Sequence, residues 1–387
     1  MILLALASRQ IWPHVLTVAH FKPDRVFLLH SDDAAESKNP AQHLKRFFDA
    51  TELIPRGGTR LELVPHDDFT GIEGSLDALQ TKHQLPLSEC CLNFTGGNKL
   101  MATAAFRWAA RRGVPAFYLE RSNRLTRFEP RDGEVLTTTE PLDGHMANGL
   151  DPVELLRCQL DASEIQRDGQ ALTLNKAGIL LSEEELFGHV SNGADMRPLL
   201  TIGGEADRDP KEGDALEFAT AGVLLKLGVA RIQRSLRLKV KSGLHVGTRL
   251  PHAEIDLLFT WGGRLWLVDC KDRMPADNLA DGLRRTLPPL SSAQEKLFDR
   301  IRKELAINQT KVMKEDLLAV RETGGLLGQV VCVRKSELPD EVVQYARHNH
   351  IDVVQKNDLV AGLRRLLFPT RPAEPEQLAG LARQFSR

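Results

Sequence analysis

Glu254-Ile255-Asp256-Leu257-Leu258-Phe259-Thr260-Trp261-Gly262-Gly263-Arg264-Leu265-Trp266-Leu267-Val268-Asp269-Cys270-Lys271 reads as two strands joined by a two-residue turn. Gly262-Gly263 is a strong signal for such a turn, because both central positions of the favoured hairpin need a positive φ. If it is the turn, Trp261 faces Arg264 and the register runs back along both arms. Asp256 then lies across from Asp269, and Glu254 across from Lys271. Side chains two apart share a face of a strand. Glu254, Asp256, Asp269 and Lys271 are therefore expected on one side of the sheet, with Ile255, Leu257, Phe259, Trp266 and Val268 as core on the other.

Directly opposed carboxylates destabilise a sheet at a Cβ separation of about 5 Å. One of the pair takes up a proton unless a cation lies between them. Oxygen ligands in this number suit magnesium or manganese. Lys271 beside such an ion would orient or deprotonate water, or stabilise the charge of a phosphoryl group under attack. The plain alternative is a half-exposed hairpin with a solvated charged face. Glu217, in Leu216-Glu217-Phe218-Ala219, is either a third inward acid or a helix-surface residue. Residues 229–253 carry Arg231, Arg234, Arg237, Lys239, Lys241 and Arg249 and no acid. A basic stretch beside an acidic site suits a phosphodiester, and it equally suits a protected sheet edge. The alternation over Val229–Val240 places Ala230, Ile232, Leu236, Leu238 and Val240 on one face, with Arg234 interrupting it.

Outward from the hairpin, the first ~120 residues alternate strand and helix patterns. Strands are expected at Ile2–Ala7, Arg25–His30, Arg60–Pro65, Cys90–Phe94 and Val114–Glu120, with a long helix from Lys99 to Arg112. That alternation indicates a parallel sheet covered by helices on both faces. Leu125–Glu129 and Glu134–Thr138 flank a hairpin turn at Pro130-Arg131-Asp132-Gly133. The fold class expected is α/β in two parts. These are a Rossmann-like domain over 1–145 and a second α/β domain over 206–370, joined by a linker with small helices over 146–205 and followed by a tail over 371–387. Within the second part, helices are expected near 291–306 and 311–322.

Net charge is -1, so the chain as a whole does not seek polyanions, and nucleic-acid binding requires a local patch. The five cysteines include no C-x-x-C pair, which fits a reduced, cytoplasmic protein. Met1–Ala7 lacks the basic start of a signal peptide. No run approaches the ~18 apolar residues of a membrane span.

Ligands of a parallel sheet sit at the carboxyl ends of its strands. Two loops stand out there, Ser8-Arg9-Gln10 and Thr95-Gly96-Gly97-Asn98-Lys99-Leu100-Met101. The second leads into a helix whose free N–H groups suit a phosphate. It is neither a Walker loop nor a dinucleotide fingerprint. As a bare pattern it is also a tight strand–helix turn.

Thr95-Gly96-Gly97-Asn98-Lys99-Leu100-Met101 resembles the T-G-G-[TN]-K-x-M motif of CARF domains, the Rossmann-like sensors of type III CRISPR systems. Ser8-x-Gln10-x-x-Pro13 is similar to that family's first loop. The second part resembles the PD-(D/E)xK nuclease fused to CARF in the CRISPR ancillary nucleases. Glu254-x-Asp256 and Asp269-Cys270-Lys271 match its E-x-D…(D/E)-x-K motif, Glu217 matches the acid of its first helix, and Gly324-Gly325-Leu326 resembles its G-G-L turn. Asp269 departs from the Glu often found there, and 272–310 is longer than usual and is expected to form a flap.

The resemblance implies a homodimer that binds cyclic oligoadenylate, above all cyclic tetra-adenylate. Ser8, Gln10, Thr95, Gly96, Gly97, Asn98, Lys99 and Met101 would line the ring. Glu217, Asp256 and Asp269 would hold Mn²⁺ or Mg²⁺, and Glu254, Asp256, Asp269 and Lys271 would be catalytic. Substrates would be single-stranded DNA, supercoiled DNA or RNA, with no membrane involved. The reading from a different class is a non-catalytic, ligand-controlled sensor that binds nucleic acid.

Overall fold

Apolar residues at every second position divide the first sheet between two cores. Strands β1 (Ile2–Leu6), β2 (Arg25–His30), β3 (Thr59–Leu63), β4 (Cys90–Asn93) and β5 (Ala116–Leu119) run parallel in the order β3-β2-β1-β4-β5. The hairpin β6 (Arg124–Arg131) and β7 (Glu134–Pro141) extends it antiparallel. Leu3, Ala5, Val26 and Leu28 pack with α1 (Trp12–Phe21) and α2 (Asn39–Thr51). Ile2, Leu4, Leu6, Phe27 and Leu29 pack with α3 (Phe69–His83) and α4 (Lys99–Arg111). Burial on both faces is what near-continuous apolar strands require. The computed structural model describes residues 1–120, 123–131, 133–159, 165–167, 169–204, 214–238, 254–271, 283–324 and 328–369.

The second sheet is mixed. β8 (Ile165–Arg167), β9 (Gln170–Leu174) and β10 (Leu200–Gly203) precede β11 (Ile232–Leu238), β12 (Glu254–Trp261), β13 (Arg264–Lys271), β14 (Gly328–Arg334) and β15 (Ile351–Gln355). Its order is β10-β9-β11-β12-β13-β14-β15, with β8 also paired to β11. Pairing is parallel for β13-β14-β15 and antiparallel elsewhere.

The α/β organisation expected from the sequence is present in both parts. The segment 146–205, expected as a linker with small helices, holds α5 (Pro152–Gln159), α6 (Lys176–Leu180) and α7 (Glu183–Ser191) but also contributes three strands. Its strands are short, and β9 gains its place by pairing with β11 and β10 rather than from a long pattern of its own.

Two faces are covered here as well. α7, α8 (Asp214–Lys226) and a late helix, Leu359–Leu367, pack on Leu257, Phe259, Trp266 and Val268. The helices Ser292–Gly324 and Asp340–His348 pack on Leu258, Leu265, Leu267, Val330 and Cys332. That second cluster is continuous with the α1/α2 core of the first sheet, so one apolar body runs through both parts. Ser292–Gly324 is a single helix where two were expected. The intervening Ile307-Asn308-Gln309-Thr310 contains neither Gly nor Pro to break it.

The β12–β13 hairpin has the expected register, Trp261↔Arg264 through Leu257↔Val268. Gly262 and Gly263 have φ of 56° and 74°, as a type I′ turn requires. Unusually, this turn is not exposed. Gly262 N–H donates to Asn148 Oδ1 at 2.8 Å, and a Cβ on Gly144 would lie 2.5 Å from Gly262 O. The hairpin is thus seated by its turn against the Gly144–Ala147 segment, with its acidic residues at the far end.

Candidate active site

The pairing of β12 and β13 stops at Leu257↔Val268, one residue short of the acids. There the Cys270 N–H donates to a side-chain oxygen, Asp256 Oδ2, at 2.6 Å. Strict alternation also fails at this point. Ile255 lies in the core with Leu258, Leu265 and Leu267, while Leu257 and Phe259 lie in the opposite one. The expectation that Ile255 shares a face with Leu257 is therefore corrected. The neighbouring strand turns over in step, since Ser235 has φ 53°, and Ile232 and Leu236 fall in different cores. The single apolar face expected for Val229–Val240 does not form for that reason.

This local inversion gathers the site. Asp256 (8% exposed) and Asp269 (3%) are buried. Lys271 Nζ lies 2.7 Å from Asp269 Oδ1 and 3.7 Å from Asp256 Oδ2. Arg334 Nη1, from the parallel neighbour β14, donates to Asp269 Oδ2 at 2.9 Å. Glu217 is turned inward. α8 is buried around most of its circumference, so its acids have no open face to occupy. Arg234 binds Glu217 Oε2 through Nε at 2.7 Å, Asp214 Oδ2 through Nη2 at 3.0 Å and Gln170 Oε1 through Nη1 at 2.8 Å.

Burial, then the Asp256 carboxylate, pushes Glu217 up to about 8 against the pull of Arg234. Burial, then Asp269, pushes Asp256 up to about 7 against Lys271 and the Cys270 N–H. Burial alone would lower Lys271, but Asp269 and Asp256 more than offset it and hold the ammonium above its usual range. An ammonium so paired supplies charge rather than acting as a base.

Two expectations change. Glu254 is not brought against Lys271; it pairs with Leu238's neighbour Arg237 along β11, with Arg237 Nε 4.0 Å from Glu254 Oε2. Glu217, Asp256 and Asp269 share the site, yet among the described residues no three His, Cys, Asp or Glu side chains form a ready metal cage. The reason is visible in the ion pairs, which draw Glu217 toward Arg234 and Asp269 toward Lys271 and Arg334. Of the basic stretch, Arg231 pairs with Asp151 at 3.1 Å and Arg234 is internal, while Lys239, Lys241 and Arg249 lie outside the described residues. Gly325-Leu326 and residues 272–282 of the expected flap also lie outside them.

At the first sheet, the loops after β1 and β4 touch. A Cβ on Gly96 would lie 1.9 Å from Leu6 O, 3.0 Å from Ser8 Oγ and 3.1 Å from His14 Nε2, so only glycine fits. Gly97 has φ 73°. Thr95 is tied at both ends, accepting from Leu119 N–H on Oγ1 at 2.8 Å and donating its own N–H to Asn93 Oδ1 at 3.0 Å. Asn98 caps α4 by accepting from Met101 N–H at 2.8 Å. Lys99 is exposed at the first turn, and Ser8 and Gln10 are half-buried. Met101 is 1% exposed in the α3/α4 core, so its place in the motif serves packing rather than a ligand.

No family model and no curated protein matches the chain. Solved structures do. Can2 from Sulfobacillus thermosulfidooxidans, in complex with cyclic tetra-adenylate, is 16% identical with a TM-score of 0.56, over 95% of this chain and 97% of that one. Protein VC1899 from Vibrio cholerae is 12% identical with a TM-score of 0.57, over the same shares. A type III CRISPR defence DNA nuclease activated by cyclic oligoadenylate is 18% identical with a TM-score of 0.50. It covers 88% of this chain, which spans about half (46%) of its length. What the chain shares with Can2 and VC1899 is the fold of both parts together, the same architecture that its two motifs imply.

Proposed function

We propose that the chain is a metal-dependent nuclease of type III CRISPR antiviral defence, switched on by a cyclic oligoadenylate. The observation that carries this reading is the convergence of Asp256, Asp269, Lys271 and Glu217 in one buried site. The buried acids Asp214, Glu217, Asp256 and Asp269 are gathered with the cations Arg234, Lys271 and Arg334. A divalent ion suits Asp256, which among the described residues meets no ammonium nearer than 3.7 Å, and its holders would be Asp256, Asp269 and Glu217 through carboxylate oxygens. Mn²⁺ or Mg²⁺ supplies Lewis-acid charge to a phosphodiester and makes bound water easier to deprotonate. Lys271, fixed by Asp269, offers positive charge where the transition state becomes more negative. Arg334 and Arg234 hold Asp269 and Glu217 in place.

The activator in this reading is cyclic tetra-adenylate, bound by a homodimer whose two-fold axis matches that of the ring. Ser8, Gln10, Thr95, Gly96, Gly97, Asn98 and Lys99 meet it. The names of the structural neighbours, one holding cyclic tetra-adenylate and one a nuclease activated by cyclic oligoadenylate, support this. The substrate is DNA, RNA or both. The test is cleavage of single-stranded DNA, supercoiled DNA and RNA, with and without cyclic tetra-adenylate and Mn²⁺. Activity should need both additions and vanish in Asp256→Ala. No cleavage in any combination, or equal cleavage by the variant, defeats the reading.

One observation favours the second reading, a ligand-controlled nucleic-acid-binding sensor without catalysis: both oxygens of Asp269 are already engaged by cations. Mn²⁺ titration separates the two. Binding that is absent, or unchanged in Asp256→Ala and Asp269→Ala, supports the sensor.

A further inference from the structure

A cavity of about 690 Å³ opens at the seam between the two parts. Gln10, Trp12 and Tyr118 line it from the first part, and Arg264, Arg347 and His350 from the second. Its wall carries several cationic donors. Arg264 donates to the neutral amide of Gln329 at 2.9 Å. Among the described residues, neither Arg347 nor His350 forms an ion pair. Two carboxylates also reach the wall, and Arg264 lies close enough to Asp352 to lower its pKa. Glu120 accepts from Thr126 Oγ1 at 3.2 Å, and Asp352 accepts from Gln329 Nε2. Burial holds Asp352 above the usual carboxylate range. Trp12 is 7% exposed, and its buried indole N–H has no hydrogen-bond partner. A buried donor left without an acceptor is uncommon and asks for an explanation.

We propose that this seam cavity binds a phosphorylated nucleotide, gripped from both parts at once. Guanidinium groups recognise phosphate oxygens by paired N–H donors and keep their charge at any working pH. Arg264 and Arg347 meet the phosphate, with His350 beside them. The volume is far larger than a lone phosphate needs and lies in the range of small-molecule sites. Tyr118 (41% exposed) offers an aromatic surface of the kind on which bases stack. Gln10 belongs also to the sensor loops, so a cyclic adenylate ring and a linear adenylate are two sources of the same chemistry. A ligand that touches both parts favours the arrangement in which they are apposed. This deepens the function proposed above and rests on it only where the ligand is the ring.

The test is calorimetric titration of the full chain with cyclic tetra-adenylate, with 5′-phosphorylated linear tetra-adenylate and with inorganic phosphate. Wild type is compared with an Arg264→Ala/Arg347→Ala double variant and with Arg347→Lys. Both arginines are exposed, so the melting temperature should not change. At least one adenylate should bind wild type, and about tenfold or more weakly to the double variant, with Arg347→Lys between them because it keeps charge but not the paired donors. Equal binding to all three proteins, no adenylate binding to wild type, or phosphate binding as tightly as adenylate overturns the seam site. If the linear form binds through the arginines and the ring does not, the seam site stands and the cyclic activator falls. If the ring binds wild type and double variant alike, the activator stands and the seam site falls.

Discussion

Replacing Arg234 with Met should destabilise the protein strongly, and by an amount that depends on pH. Arg234 is 6% exposed and gives charge-assisted bonds to Glu217 and Asp214 and a third bond to Gln170. Met roughly fills the space of the stem, so the loss is electrostatic rather than a cavity. Removing one partner of a buried ion pair costs about 3–5 kcal/mol, because the other charge is left without compensation.

The pH dependence follows from Glu217. Its folded value is raised from 4.5 to about 8, so the folded chain holds a proton that the unfolded chain releases. The stability this gives is complete below about pH 4.5 and is lost as pH rises through about 8. Loss of Arg234 raises Glu217 further, and each added tenfold in proton affinity is worth about 1.4 kcal/mol. At pH 6 the variant neutralises the stranded acid at little cost; at pH 9.5 taking up that proton costs more. Urea unfolding in EDTA, followed by tryptophan fluorescence, measures both. A cost near 3–5 kcal/mol is expected at pH 9.5, and a clearly smaller one at pH 6. A cost under about 1 kcal/mol at pH 9.5, or the same cost at both pH values, would refute the reasoning.

Asp256→Asn should lower Mn²⁺-dependent cleavage by at least about 10²–10³-fold while leaving the melting temperature at pH 8 unchanged or higher, since it removes a carboxylate that burial and Asp269 already disfavour. A lower melting temperature at that pH would count against this unfavourable burial of Asp256. Gly144→Ala places a Cβ 2.5 Å from Gly262 O and 2.8 Å from Gly263 N. Neither backbone atom can move cheaply, so thermal unfolding should show a loss of about 1–3 kcal/mol. His14 is fully enclosed, both ring nitrogens lack partners, and burial lowers it to about 4. Its neutral form is favoured by folding, a contribution complete above about pH 6.5 and lost as pH falls toward 4. An NMR titration should show one histidine that stays neutral at pH 5.

The first sheet was largely legible because each strand is a short apolar run closed by a turn. Arg25–His30 runs to the same residues in sequence and structure, and the helix from Lys99 differs by one residue at its end. The glycine turn at 262–263 carried the β12–β13 register. The 146–205 segment was not legible, because β9 and β10 have five and four residues and are strands through their neighbours. The inversion at Ser235 and Asp256 was not legible either. Ser235 takes a left-handed backbone without the glycine that usually announces one.

That inversion is what hid the cations of the site. Under strict alternation Arg234 read as an interruption of an apolar face, when its side chain is in fact the counter-ion of α8. Its partners lie 17, 20 and 64 residues away. Arg334 was equally silent, since only the parallel pairing of β14 with β13 brings it to Asp269, 65 residues earlier. A signal existed for both: a lone arginine within or ending an otherwise apolar strand must find a buried acid or leave the core. With these cations in place, the motif reads differently from a pair of opposed acids with nothing between them. Asp269 has Lys271 and Arg334; Glu217 and Asp214 share Arg234. Asp256 has a backbone N–H and an ammonium no closer than 3.7 Å. Asp256 is thus the least compensated acid of the cluster, and the one at which an added positive charge gains most.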